Sequence, residues 1–196
     1  MKNNIVLENI HKRRSIRNYS LEQIPNEILN QIIEAGQYAP SGGNNQTNHF
    51  IVIQNKEVLA QLKILVEHEF AEMEIHETTY KSIVSSIRQS KKGNYDFTYN
   101  APTFIIIANQ QNYGNAMADC SVALENMMLA AVSLEVGTCW INQLHWLDED
   151  EAVRKFLFNL GLKENETICG SLSLGFSLQK EFAPLKRTGN LVTYIR

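Results

Sequence analysis

Two stretches of this chain concentrate residues that can hold a ligand. The first is Arg13-Arg14-Ser15-Ile16-Arg17-Asn18-Tyr19. Guanidinium forks match phosphate oxygens, and the Ser15 hydroxyl adds a neutral donor, so Arg13, Arg14, Ser15 and Arg17 can converge on one anionic group. The alternative is a solvated basic helix end, favoured by the helix dipole. The second stretch is Ala39-Pro40-Ser41-Gly42-Gly43-Asn44-Asn45-Gln46. A glycine pair lets backbone amides approach a ligand closely. Asn44 and Gln46 each donate and accept, which suits a flat heterocycle with imide edges. A plain turn would use the same residue types.

Two further segments are weaker. Gly137-Thr138-Cys139-Trp140-Ile141-Asn142-Gln143 reads as a strand after an apolar helix, and it brings backbone groups to a sheet end, where α/β ligands often sit. A core strand with Trp140 buried is the alternative. Pro184-Leu185-Lys186-Arg187 ends in a second cationic pair, for which solvated surface charge is the default reading.

Elements must position these groups. Ile28, Leu29, Ile32 and Ile33 recur at helical spacing between Pro25 and Gly36. Phe50–Ile53 and Thr103–Ala108 are short β-branched runs, so they read as buried strands. Glu57 to about Ser90 reads as a helix, either continuous or broken, and its charge places it at the surface. Lys91–Asn94 reads as a loop. Ala118–Val136 is apolar almost all round, which marks a central helix, with Gly137 as its C′ residue. Thr138–Asn142 reads as a strand, Glu149–Leu160 as a helix, Cys169–Phe176 as an alternating strand, and Leu191–Ile195 as a final strand. Interleaved strands and helices argue a three-layer α/β or α+β domain covering residues 1–196.

Composition narrows the function classes. The 196 residues carry 18 Lys and Arg against 21 Asp and Glu, and a net charge of −3 leaves no global field for nucleic acid or an anionic membrane. With 44% hydrophobic and 20% charged residues, the balance is that of an ordinary globular domain. The N-terminus lacks the apolar run of a signal peptide, and Met127–Leu134 is too short to span a bilayer. Three dispersed cysteines fit a reducing cytoplasm. His68 and His76 stand eight apart on the expected helix, roughly sharing a face. Without an H-E-x-x-H or a nearby cysteine, no metal site is expected. Cys120 and Cys169 read as small core residues. No Rossmann or Walker glycine pattern is present.

The ordered set of R-x-S-x-R, a helix ending in A-P-S, N-x-Q before a strand, a buried central helix, G-x-C-W and a late Lys/Arg pair resembles the nitroreductase-like FMN-dependent family, from about Glu8 to Arg187. The resemblance implies an α+β homodimer with a central, mostly antiparallel sheet flanked by helices and one FMN at each subunit boundary. It implies NAD(P)H as donor and ping-pong hydride transfer through flavin N5 to nitroaromatic, quinone or related acceptors. A specialised dehalogenase or azoline oxidase role, or a non-catalytic sensing or storage role, would use the same cofactor site. Arg13 matches the phosphate-binding arginine, with Arg14 and Ser15 as its ribityl and pyrimidine neighbours. Arg17 matches the cation beside flavin N1 and O2. Pro40, Ser41, Gly42, Asn44 and Gln46 match the loop that covers the flavin from the partner subunit. Ile141, Asn142 and Gln143 match the stretch lying near N5. Lys186 and Arg187 match the late phosphate contact. No catalytic side chain is implied. Two departures stand out: Thr47-Asn48 where the family commonly has Pro-Trp, and Gln143 where many members have Gly. Residues 65–99 correspond to the family's variable segment over the substrate face, so no residue role transfers there.

Overall fold

The computed structural model describes residues 4–179 and 186–196. Its framework is a four-stranded antiparallel sheet made of β1 (His49–Ile53), β2 (Thr103–Gln110), β3 (Gly137–Ile141) and β4 (Glu166–Gly175), in the order β1-β2-β4-β3. Helices cover both faces. On one face lie α2 (Asn26–Gln37) and α5 (Ala116–Ser133). On the other lie α3 (Lys56–Glu72), α4 (Lys81–Lys92), α6 (Gln143–Trp146) and α7 (Glu151–Phe158). Helix α1 (Ile5–Lys12) precedes them. The expected three-layer α+β architecture is therefore what forms.

Strand β2 shows why. Phe104, Ile106 and Ala108 pack into the α3/α7 layer, while Ile105 and Ile107 pack into the α2/α5 layer. A strand covered on both faces needs no polar alternation, so three isoleucines can run consecutively. β4 is likewise buried along nearly its whole length. Helix α5 places Cys120, Ala123, Leu124, Met127 and Ala131 fully inside, as its all-round apolar sequence requires.

Several sequence expectations are corrected. The long charged segment takes the broken alternative, two helices with a break at residues 73–80. α3 is only half surface, because Leu62, Val66 and Phe70 are wholly buried. His76 falls in the break, so it shares no helix with His68. α4 continues through Lys92 and ends at Gly93, whose φ of 84° stops it. Gly137 is not the residue that ends α5. Glu135 takes the left-handed conformation at φ 59°, and Val136 N–H donates to Ala131 O at 2.8 Å, closing a Schellman motif two residues earlier. Residues 191–195 form no strand, because nothing described in this chain offers them a ladder partner. Leu191 is 97% exposed and Ile195 96%.

Glu166 ties the start of β4 to β1. Its carboxylate accepts from His49 Nδ1 at 2.8 Å and from Lys163 N at 2.9 Å. Burial pushes this carboxyl up, but the His49 hydrogen bond, the Lys163 amide and their charges outweigh it and hold it below the ordinary glutamate range. A lowered folded pKa stabilises the fold above the unfolded pKa, and this contribution is lost as pH falls through the folded value. Glu166→Gln is expected to cost about 1–2 kcal/mol near neutrality, or roughly 2–8 °C in Tm. Thermal melts across pH should show the gap between the two proteins closing in acid.

Candidate functional site

The basic segment leaves α1 and runs beside β3 as extended chain. Ser15 bridges Thr138, and Ile16 N–H donates to Thr138 O at 2.8 Å. Gly137 makes this approach possible: a Cβ there would lie 2.8 Å from Ile16 Cγ1. Tyr19 locks the far end, its hydroxyl donating to Ile16 O at 2.6 Å from a buried position. Burial first, reinforced by Cys139, keeps that phenol protonated well above its ordinary range.

Extended chain alternates its side chains, and this alternation sorts the candidate residues. Ile16 goes into the core. Arg13, Ser15 and Arg17 share the opposite face, where all three bear on the Cys139 thiol. Arg14 faces elsewhere: it donates to His11 O at 2.7 Å and Arg13 O at 2.6 Å, and it lines a separate groove with Ile16 and Thr138. The structure thus brings together three of the four basic-segment candidates. Arg13 Nε lies 3.6 Å from Glu125 Oε1 of α5. Arg17 stands 5.6 Å over the Tyr99 ring. The Arg17 guanidinium is charged, as arginine always is in proteins, and its pKa is raised despite the burial that would lower it. Burial raises the Cys139 thiol more than the arginines lower it, so Cys139 packs as a thiol.

Arg17 and Gln143 line the same cavity of about 910 Å³, within the size range of cofactor and ligand sites. Trp140 Nε1 donates to Asn142 Oδ1 at 2.6 Å, which fixes Asn142 at the end of β3, and Ile141 is buried beside it. Lys186 and Arg187 are exposed and make no described contact with Arg13. Pro184 and Leu185 lie outside the described residues.

The second loop is elsewhere. Pro40, Ser41, Asn44 and Gln46 line a different cavity of about 640 Å³, with Asn48 and Phe50. Asp119 latches this loop, accepting from Gly42 N at 3.1 Å and from Tyr113 OH at 3.0 Å, while Tyr113 OH also reaches Gly42 O at 3.1 Å. A side chain on Gly42 would meet Tyr113 OH at 2.6 Å. Gly43, Asn44 and Gln46 all adopt positive φ, which Gly and Asn tolerate best. Arg17 and Gln143 therefore line one cavity of the chain and the loop lines another.

A profile of the Nitroreductase family matches residues 10–176. The chain belongs to the nitroreductase family. An Archaeoglobus fulgidus protein provisionally named NADH dehydrogenase/NAD(P)H nitroreductase is 32% identical over 170 residues, covering 87% of this chain and 84% of that protein. The crystal structure of a nitroreductase with bound FMN from Bacteroides fragilis NCTC 9343 superposes with a TM-score of 0.89 at 36% identity, covering 99% of this chain and 100% of that one. A nitroreductase with bound FMN from Desulfitobacterium hafniense DCB-2 reaches a TM-score of 0.84 at 26% identity, with 99% and 100% coverage. These relatives place the chain among oxidoreductases.

Asn48 and Gln143, the positions where the sequence departs from the resemblance's expected pattern, both carry side-chain hydrogen bonds. Asn48 Oδ1 accepts from Asn109 Nδ2 at 2.8 Å and from Cys120 at 3.2 Å, and its amide donates to Asp119 O at 3.2 Å. Gln143 Nε2 donates to Tyr95 OH at 2.7 Å, and Tyr95 OH also bonds Ser86 at 2.9 Å. The variable segment is thereby fastened to the end of β3. Sequence reading missed Asp119, Tyr113, Tyr95 and Ser86. Asp119 carried one signal, an acid in the first turn of an otherwise apolar helix. No local pattern marked the other three.

Proposed function

We propose that the chain is an FMN-dependent NAD(P)H oxidoreductase that works as a homodimer, with each FMN held by the arginine face of one subunit and the Pro40–Gln46 loop of the other. One observation carries this reading. Arg13, Ser15 and Arg17 share one face beside β3, while the loop is latched to Asp119 over a different cavity. The residue types fit the group. Arg13 and Ser15 supply charge-assisted and neutral donors for a phosphate, and Lys186 and Arg187 join them in the assembled dimer. Arg17, held charged, stabilises negative charge on a reduced ring. Asn142 and Gln143, both fixed by side-chain hydrogen bonds, set the wall beside it.

FMN held by these residues would supply the hydride chemistry between NAD(P)H and an electron-poor acceptor such as a nitroaromatic or quinone. The chain's own work is positioning and electrostatics. Cys139 remains a packed thiol, and no side-chain nucleophile is needed.

Exposed apolar side chains suit the dimer: Ile5, Val6, Leu7 and Ile10 on α1, and Leu191, Val192 and Ile195 near the C-terminus, are all exposed.

An anaerobic titration tests the reading. The purified protein is expected to be yellow and to bleach with NADH or NADPH, then to recover colour on adding a quinone. A yellow protein that neither nucleotide bleaches would point to binding without turnover, and a colourless protein that takes up no FMN would overturn the reading.

A further inference from the structure

We propose that the acceptor at this site is a polar molecule bearing an anionic group, of carboxylate type, which docks against Lys92 and the hydroxyl face of α4. The inference rests on the oxidoreductase reading above and adds the substrate class. Helix α4 presents Ser82, Ser85, Ser86, Gln89 and Lys92 to the 910 Å³ cavity that also contains Arg17 and Gln143. At 100° per residue these five fall within an arc of about 120°, while Ile87 on the same helix is buried in the core. Small-molecule sites are usually lined by apolar side chains with a few polar groups. Here one whole wall offers hydroxyls, an amide and an ammonium.

The charges in the cavity are unbalanced. Arg17 and Lys92 are cations. The one lining carboxylate, Asp96, is already satisfied: Lys63 Nζ donates to it at 2.8 Å, Thr98 N at 2.9 Å and Asn100 N at 2.8 Å. Among the described residues, no carboxylate pairs with Lys92. With Arg17 assigned to the cofactor, Lys92 is the cation left for a ligand, at the far end of the hydroxyl face. The Gln143–Tyr95–Ser86 hydrogen bonds fasten that face to the end of β3, so the polar wall and the reducing centre keep a fixed relation. A neutral, apolar nitroaromatic would strip water from these hydroxyls without replacing it. An acceptor with a carboxylate satisfies Lys92 together with the exposed Ser82 and Ser85 hydroxyls, while Ser86 stays committed to Tyr95.

The test compares 4-nitrobenzoate with its neutral counterpart 4-nitrobenzamide in steady-state kinetics on the flavin-loaded protein and on Lys92→Gln. Dividing the two kcat/KM values, then comparing proteins, cancels the intrinsic reactivity of each acceptor. The ratio is expected to fall about 5- to 10-fold in Lys92→Gln. Lys92→Glu should lower it further. Calorimetric titration with benzoate, which cannot be reduced, provides a second readout, and binding should weaken by a similar factor in Lys92→Gln. If both acceptors are reduced with the same ratio in wild type and variant, and benzoate binds both equally, the inference is overturned while the oxidoreductase reading stands. If neither acceptor is reduced but benzoate binding still depends on Lys92, the anion site stands and the reaction reading fails.

Discussion

Arg13→Ala is expected to purify largely without FMN, with an affinity about 100-fold or more below wild type. Losing a charge-assisted hydrogen bond costs about 1.5–3 kcal/mol, and each 1.4 kcal/mol is tenfold in affinity. A second effect adds to it. Arg13 Nε lies 3.6 Å from the Glu125 carboxylate, and removing the arginine leaves that anion unpaired beside the place assigned to a phosphate. Arg13→Lys keeps the charge but loses the fork, so it should fall between the two. Arg13→Ala/Glu125→Gln should recover part of the loss, because the repulsion goes with the carboxylate. Flavin fluorescence titration of the apoprotein measures all four proteins. The fold should be largely unaffected, since Arg13 is the C-cap residue of α1 and its backbone hydrogen bond to Asn9 O survives the substitution. An Arg13→Ala protein that purifies fully loaded would sink the phosphate assignment.

Mixing two inactive proteins should restore sites. If one FMN site draws its arginines from one subunit and its loop from the other, Arg13→Ala and Gly42→Val damage opposite halves of the site. Each homodimer then has two defective sites. Gly42→Val acts by displacing the loop, because its side chain must enter the space held by Tyr113 OH. In a refolded equimolar mixture, half of the dimers are mixed. Each mixed dimer has one site with both defects and one with none, so about one quarter of all sites should bind FMN and turn over. The quantity to measure is flavin content and NAD(P)H oxidation before and after co-refolding. Recovery no greater than the average of the two parents would place both halves in the same subunit's site and end the shared-site reading.

The part of this fold that was legible in the sequence is the part that local patterns carry. Three consecutive isoleucines at 105–107 indicated a strand buried on both faces, and β2 has one core on each side. The all-round apolar run around Met127 indicated a central helix, and α5 fills that role. Errors arose where backbone geometry overrode residue preference. Glu135, not a glycine, takes the left-handed turn that ends α5, because the buried contacts of α5 and β3 fix that corner whatever its side chain. Gly137 serves a different need, the close passage of Ile16. Residues 191–195 have a strand composition but no partner strand described in the chain, and a ladder needs two sides.

The sequence by itself determined the central elements, the order of the motifs and the chemical types available at the site. These follow from short-range rules: periodicity decides which face an element buries, and residue type decides what it can bind. The tertiary structure alone decided which of those residues act together. Pairing beside Thr138 sends Arg13, Ser15 and Arg17 to one face and Arg14 to another. Asp119 holds a loop 77 residues earlier. Gln143 reaches Tyr95 across 48 residues. Contacts over such separations depend on how whole elements pack, and packing is a property of the assembled core that no local run of sequence encodes.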